Sequence, residues 1–168
     1  MNVINSEEAA IYKVAPVKTT NTNMDDEIID KALAILARRL RKPGEFISSP
    51  ADLRRYATLR WAKLEHEVFS IVYLDNRHRV IEVEELFRGT IDGAAVYPRE
   101  VVKSSLKHNA ACVVLIHNHP SGVAEPSRAD EQVTIKIKEA LATVDIRVLD
   151  HLIVAGADTL SFAERGLM

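Results

Sequence analysis

Between Glu67 and Asp75 two sets of side chains alternate: Val68, Ser70, Val72 and Leu74 on one side, Glu67, Phe69, Ile71 and Tyr73 on the other. Both sets are mostly apolar, which predicts a strand covered on both faces. Asp75-Asn76-Arg77-His78 has turn chemistry, and Val80 to Phe87 returns as the second strand of a hairpin. Gly89 to Ala95 reads as a loop. Pro98 opens a helix through about His108, with Val101, Val102, Ser105 and Leu106 turned inward. Ala110-Ala111-Cys112-Val113-Val114-Leu115-Ile116 is apolar, rich in β-branched residues and short, so it predicts a buried strand. A helix from Ser127 to about Thr143 points Val133, Ile137, Ala140 and Leu141 at the core. Arg147 to Ala155 is a further strand, Gly156-Ala157-Asp158 a turn, and Leu160 to Glu164 a final short element.

Two helices precede these elements. Asn23 can cap one running from Met24 to about Arg41, whose start carries Asp25, Asp26 and Glu27 and whose end carries Arg38, Arg39, Arg41 and Lys42. Both charge groups complement the helix dipole. Ile29, Leu33, Leu36 and Leu40 form its apolar stripe, and Pro43-Gly44 ends it. Ser49-Pro50-Ala51-Asp52 starts the second, with Leu53, Tyr56, Ala57, Arg60, Trp61 and Leu64 at helical spacing. Trp61 reads as a core residue. The order β-β-α-β-α-β predicts a mixed sheet flanked by helices, an α/β (α+β) sandwich with an extra N-terminal helix. The chain divides into a flexible tail over 1–23, a helix and linker over 24–47, and a folded domain over 48–168.

Composition narrows the function classes. The 168 residues, 47% apolar and 27% charged, are those of a globular domain large enough for a sizeable core. The formal net charge of −2 gives no global attraction to nucleic acid or anionic membranes. The single cysteine, Cys112, falls inside the apolar strand and reads as a small buried hydrophobe in a reducing compartment. No apolar run approaches the ~18 residues of a membrane span, and the acidic N-terminus has no signal core, so the expected location is the cytoplasm.

The chemistry lies after the third strand, in Ile116-His117-Asn118-His119-Pro120-Ser121-Gly122 and the following Pro126-Ser127-Arg128-Ala129-Asp130. His117 and His119 stand two apart, so in extended chain both rings project to one side. Pro120 and Ser121-Gly122 stop the strand, and Asp130 falls in the first turn of the next helix. Ser127-x-x-Asp130 is a capping pattern in its own right. Two histidines and a carboxylate on facing element ends are the ligand set of a catalytic zinc site, with one position left for water.

His-x-His-Pro followed by Pro-Ser-x-x-Asp resembles the JAMM metalloprotease motif. The version here, His-Asn-His-Pro-Ser-Gly, is similar to that of the bacterial RadC family. Phe87-Arg88-Gly89-Thr90, Pro98-Arg99-Glu100, Leu149-Asp150-His151 and Ser161-Phe162-Ala163-Glu164-Arg165-Gly166 fit the same family, over roughly Ser48 to the C-terminus. The resemblance implies the MPN fold and one Zn2+ per chain, held by His117, His119 and Asp130. It also implies a glutamate on an earlier strand as general base. Glu67 takes that place, with Glu65 the fallback, and Ser127 becomes the oxyanion donor. Larger relatives carry a helix-hairpin-helix DNA-binding module built around glycine. The first glycine here is Gly44, so that module is expected to be absent and any nucleic-acid binding weak.

The expected function is therefore zinc-dependent hydrolysis of an amide bond in a protein or peptide. The rivals are a non-catalytic DNA-repair or mobile-element module with a structural zinc site, and a metal-dependent nuclease. The second fits less well, because such nuclease sites lean on several carboxylates whereas a His₂-Asp set favours zinc. As second partner of a zinc-binding histidine, Asp150 and a backbone carbonyl are both open. His151 reads as a satisfied histidine and not a fourth ligand, and His66, His78 and His108 as surface residues.

Overall fold

The computed structural model describes residues 24–41, 50–90 and 95–168, with the side chains of 37–41 left aside. In chain order the elements are α1 (Met24–Arg41), α2 (Pro50–Trp61), β1 (Val68–Leu74), β2 (Val80–Arg88), α3 (Pro98–Lys107), β3 (Cys112–Asn118), α4 (Arg128–Ala142), β4 (Arg147–Ala155), β5 (Asp158–Ser161) and α5 (Phe162–Arg165). The expected tail, the Asn23 cap, the Pro43-Gly44 stop, the Ser49 cap and the middle of the 89–95 loop lie outside the described residues.

The five strands form one mixed sheet in the order β2-β1-β3-β4-β5. β1 runs antiparallel to β2 and β3, β3 parallel to β4, and β4 antiparallel to β5. The segment read as one short terminal element is a strand followed by a one-turn helix, so the sheet gains a fifth strand. Every residue of β1 and β3 is buried, because both faces of the sheet centre are covered. On one face Leu53, Ala57 and Trp61 of α2 pack on Val72, Leu74, Val114, Ile116 and Leu152, with Leu33 and Leu36 of α1 against the same cluster. On the other, Val101 of α3 and Ile137 and Leu141 of α4 pack on Phe69, Ile71, Tyr73, Val113 and Leu115. Trp61 is core, as its spacing predicted; its indole N–H donates to the Glu85 carboxylate at 3.1 Å.

Helix α3 departs from expectation on one residue. Leu106 is 55% exposed and Ser104 is buried in its place. The Ser104 hydroxyl accepts from Tyr73 Oη at 2.7 Å and donates to Glu84 at 2.5 Å, a polar tie that α3 could not make with a leucine. His108, expected at the surface, stacks on Tyr73 with ring centroids 4.5 Å apart and faces Glu84.

One irregularity positions the site. Between Val113 and Val114 the β3–β4 register slips, so that Val113 pairs with Val148 but Val114 with Asp150. Leu149 is the extra residue. Because side chains alternate strictly along a strand, this bulge reverses the facing of everything after it. His151 and Ile153 therefore turn to the face of His117, and Leu152 and Val154 to that of α2.

Candidate metal centre

His117 ends the buried part of β3, directly across from Phe69 of β1. His119 lies just past the strand but stays tied to the sheet, its N–H donating to the Val154 carbonyl at 2.8 Å. The turn then closes at Gly122, whose φ of 76° is a left-handed conformation suited to glycine and whose N–H donates to the His119 carbonyl at 3.1 Å. Ser127 caps α4. Its hydroxyl accepts from the Asp130 N–H at 3.2 Å, and Asp130 Oδ2 accepts from the Ser127 N–H at 2.7 Å. This capping box aims the carboxylate back over the strand end.

The three side chains converge. His117 Nε2 lies 2.9 Å from His119 Nε2 and 3.2 Å from Asp130 Oδ1, and His119 Nε2 lies 3.5 Å from Asp130 Oδ2. Among the described residues this is the one His/Cys/Asp/Glu group whose ligand atoms all lie within 4.8 Å of one another. A tetrahedral zinc with bonds of ~2.0–2.1 Å needs donor separations of ~3.3 Å. The observed spacings bracket that value, and two imidazoles with one carboxylate are donors zinc accepts, so these residues fit the ion.

Their electrostatics agree. Burial by itself would raise the Asp130 carboxyl, but the imidazoles of His117 and His119 and the Ser127 hydroxyl beside it hold it far below the carboxylate range. The hydrogen bond to Asp130 raises His119 against its burial, with smaller contributions from the Val123 carbonyl and the negative charge of Glu67. The site is thus arranged to stabilise positive charge among these three groups.

Glu67 reaches the same place from β1. Its N–H donates to Thr90 O at 2.9 Å and its carbonyl accepts from Gly89 N–H at 2.8 Å, so it continues the β1–β2 ladder. Glu67 stands two residues before Phe69, the partner of His117 in the antiparallel ladder, and its negative charge reaches His119. Glu67, His117, His119, Ser127 and Asp130 share the wall of one cavity of about 600 Å³. The fallback Glu65 is exposed and is not part of that wall.

The second partners of the histidines differ from each other. His119 Nδ1 donates to a backbone carbonyl, Val123 O, at 2.7 Å. His117 Nδ1 lies 2.8 Å from His151 Nε2. Asp150 serves neither: its carboxylate accepts from Ser161 Oγ at 2.7 Å, Ala163 N–H at 2.9 Å and its neighbour His151 N–H at 2.7 Å, tying β5 and α5 to β4. His151 is fully buried, and its Nδ1 lies 2.6 Å from Thr134 Oγ1. Burial, reinforced by the neighbouring His117, pushes its pKa well down, so it is a neutral imidazole. Thr134 escaped the sequence reading because an isolated threonine on an amphipathic helix carries no signal. Of the other histidines His78 is exposed, as expected, and His66 is half-buried.

A five-stranded mixed sheet flanked by helices, with a His-His-Asp group where its central strand ends, defines the JAB-like class of domains. The family model described as RadC-like JAB domain matches residues 47–167, and the chain belongs to that family. It is 64% identical over 127 residues to a UPF0758 protein of Nitrosococcus oceani, a match covering 76% of this chain and 57% of that relative. Against a UPF0758 protein of Marinobacter nauticus the identity is 57% over 140 residues, covering 83% and 62%. A third, from Thioalkalivibrio sulfidiphilus, is 61% identical over 125 residues, covering 74% and 56%. The chain thus spans about three-fifths of the length of these relatives.

Proposed function

We propose that this chain is a zinc-dependent metallopeptidase or isopeptidase that hydrolyses an amide bond in a protein or peptide. The observation that carries this reading is the convergence of His117, His119 and Asp130 to within zinc-ligand spacing, with Glu67 in the same cavity wall. A zinc ion bound there supplies Lewis acidity, which lowers the pKa of water towards ~7 and polarises a carbonyl. The chain supplies the rest. The Glu67 carboxylate takes the proton of the attacking water and passes it to the leaving amine. The Ser127 hydroxyl now donates to Asp130 Oδ2 at 2.6 Å. Turned toward the cavity, it would donate to the oxyanion that develops as the carbonyl is attacked, an interaction worth on the order of 2.7–4 kcal/mol of barrier.

We place this activity in the cytoplasm, where the lone buried Cys112 is at ease reduced. Among the described residues no helix is long and apolar enough to cross a membrane.

The test is elemental analysis of the purified protein, followed by incubation with a peptide library and, separately, with labelled DNA, each with and without chelator. Chelator-sensitive peptide cleavage is the expected result. Cleavage of DNA alone would select the nuclease reading. Zinc retention with no hydrolysis and tight DNA binding at physiological salt would select the non-catalytic module.

A further inference from the structure

The structure assigns a joint role to His151 and Thr134, which together hold the His117 ring in the tautomer that leaves Nε2 bare for a cation. The inference rests on the zinc reading of the site and concerns two residues that offer the ion no ligand atom themselves.

The argument is one of proton counting. His117 Nε2 faces His119 and Asp130. A neutral imidazole that binds a metal through Nε2 must carry its proton on Nδ1. That Nδ1–H meets His151 Nε2 at 2.8 Å, so His151 Nε2 must be the acceptor and the His151 proton must sit on its own Nδ1. There the partner is Thr134 Oγ1, at 2.6 Å. The threonine oxygen can accept because its own proton goes elsewhere, to the Asp130 carbonyl at 2.5 Å. Every proton in the series then has one place. The series begins on one ligand side chain and ends on the backbone of another, binding the end of β3 to the first turns of α4.

The surroundings make the arrangement rigid. His151 packs between Phe69 and Phe162, with ring centroids 5.5 and 4.7 Å away, and is fully buried. It faces His117 because the Leu149 bulge shifts the β4 register. Without the Thr134 hydroxyl, the His151 Nδ1–H would lose its acceptor. The ring would be better served with its proton on Nε2, which then confronts His117 Nδ1 and drives the His117 proton to Nε2, where zinc must bind. Thr134 and His151 are therefore positioning residues for the metal site.

The experiment compares wild type, Thr134→Val, Thr134→Ser and His151→Phe. Zinc affinity is measured by chelator competition at one pH, melting temperature without metal, and the tautomers by imidazole ¹⁵N spectra of the zinc-loaded protein. Thr134→Val and His151→Phe should weaken zinc binding by about 10–100-fold, the usual effect of losing an outer partner, while Thr134→Ser keeps near-normal affinity because it keeps the hydroxyl. A merely structural role would lower the metal-free melting temperature and leave affinity unchanged. Wild type that takes up no zinc overturns the zinc reading. Zinc-binding wild type with equal affinity in Thr134→Val and His151→Phe overturns the tautomer assignment alone. Should Thr134→Val fail to fold, the wild-type spectrum decides: a proton on His151 Nδ1 supports the assignment, and one on Nε2 overturns it.

Discussion

Phe69 and His117 face each other across the β1–β3 ladder with their rings stacked, centroids 6.0 Å apart and planes 13° from parallel. Both residues line the cavity. Phe69 lays an apolar ring against the imidazole, and Glu67 stands two residues before it on the approach to the same strand. Glu67 thereby shares the cavity wall with the candidate metal ligands.

That placement makes Glu67→Gln the sharpest test of the proposed base. Glutamine is close to isosteric and can still hydrogen-bond a water but cannot accept its proton. Zinc content and melting temperature should stay at wild-type values while peptide hydrolysis falls by at least ~10²–10⁴-fold. A fully active, zinc-replete variant would remove Glu67 from the mechanism.

Asp130 and Ser127 should separate cleanly, although the capping box joins them. Asp130→Asn replaces an anionic ligand by a weak neutral one, and zinc stoichiometry itself should drop. Ser127→Ala should retain zinc, lower the rate by ~10²–10³-fold and cost about 1 kcal/mol of stability through the lost cap. Elemental analysis, thermal melts and rates on the two proteins side by side check all three statements.

Zinc affinity should depend on pH in a set direction. In the metal-free protein the hydrogen bond to Asp130 raises His119, so its charged form stabilises the fold below its unfolded pKa and that contribution is lost as pH rises through the raised value. Zinc must displace the same proton. Affinity should climb with pH up to the raised pKa, with a proton released on binding, and level off above it. Competition titrations from pH ~5.5 to ~8 read this slope. A flat profile would exclude His119 as a ligand.

A second pH effect is expected far from the cavity. Hydrogen bonds from Ser104 first, then Tyr73, and the nearby His108 imidazole lower Glu84 below its ordinary 4.5 despite burial. A depressed carboxyl stabilises the fold above its unfolded pKa and loses that contribution as pH falls through the folded one. Glu84→Gln should therefore flatten the acid limb of the stability curve below pH 4.5, with little change in zinc content. Denaturant melts across that range test it, and an unchanged acid limb would mean that Glu84 gains nothing from Ser104 in the folded state.

Much of this architecture was legible in the chain. The span of α1, the complete span of β4 and the start of α3 at Pro98 followed from periodicity, helix-end charge and turn residues, because these are local properties of the backbone. Strand β1 revealed its two-sided burial through two apolar sets in alternation. The His-x-His pair and the Ser-x-x-Asp cap were readable because strand period and helix capping alone fix which way those side chains project.

What the chain could not reveal depended on pairing between distant segments. The exchange of Leu106 for Ser104 in the core follows from Glu84 and Tyr73 waiting on neighbouring strands. Asp150 had the right chemistry for a histidine partner but is occupied by Ser161 and Ala163. His151 faces His117 because one extra residue in β4 reverses its side-chain alternation, and Thr134 completes the pair from a helix seventeen residues earlier. A bulge is decided by how two strands settle against each other and against the helices on both faces. That energy is spread over many long-range contacts, and no local stretch of sequence carries it.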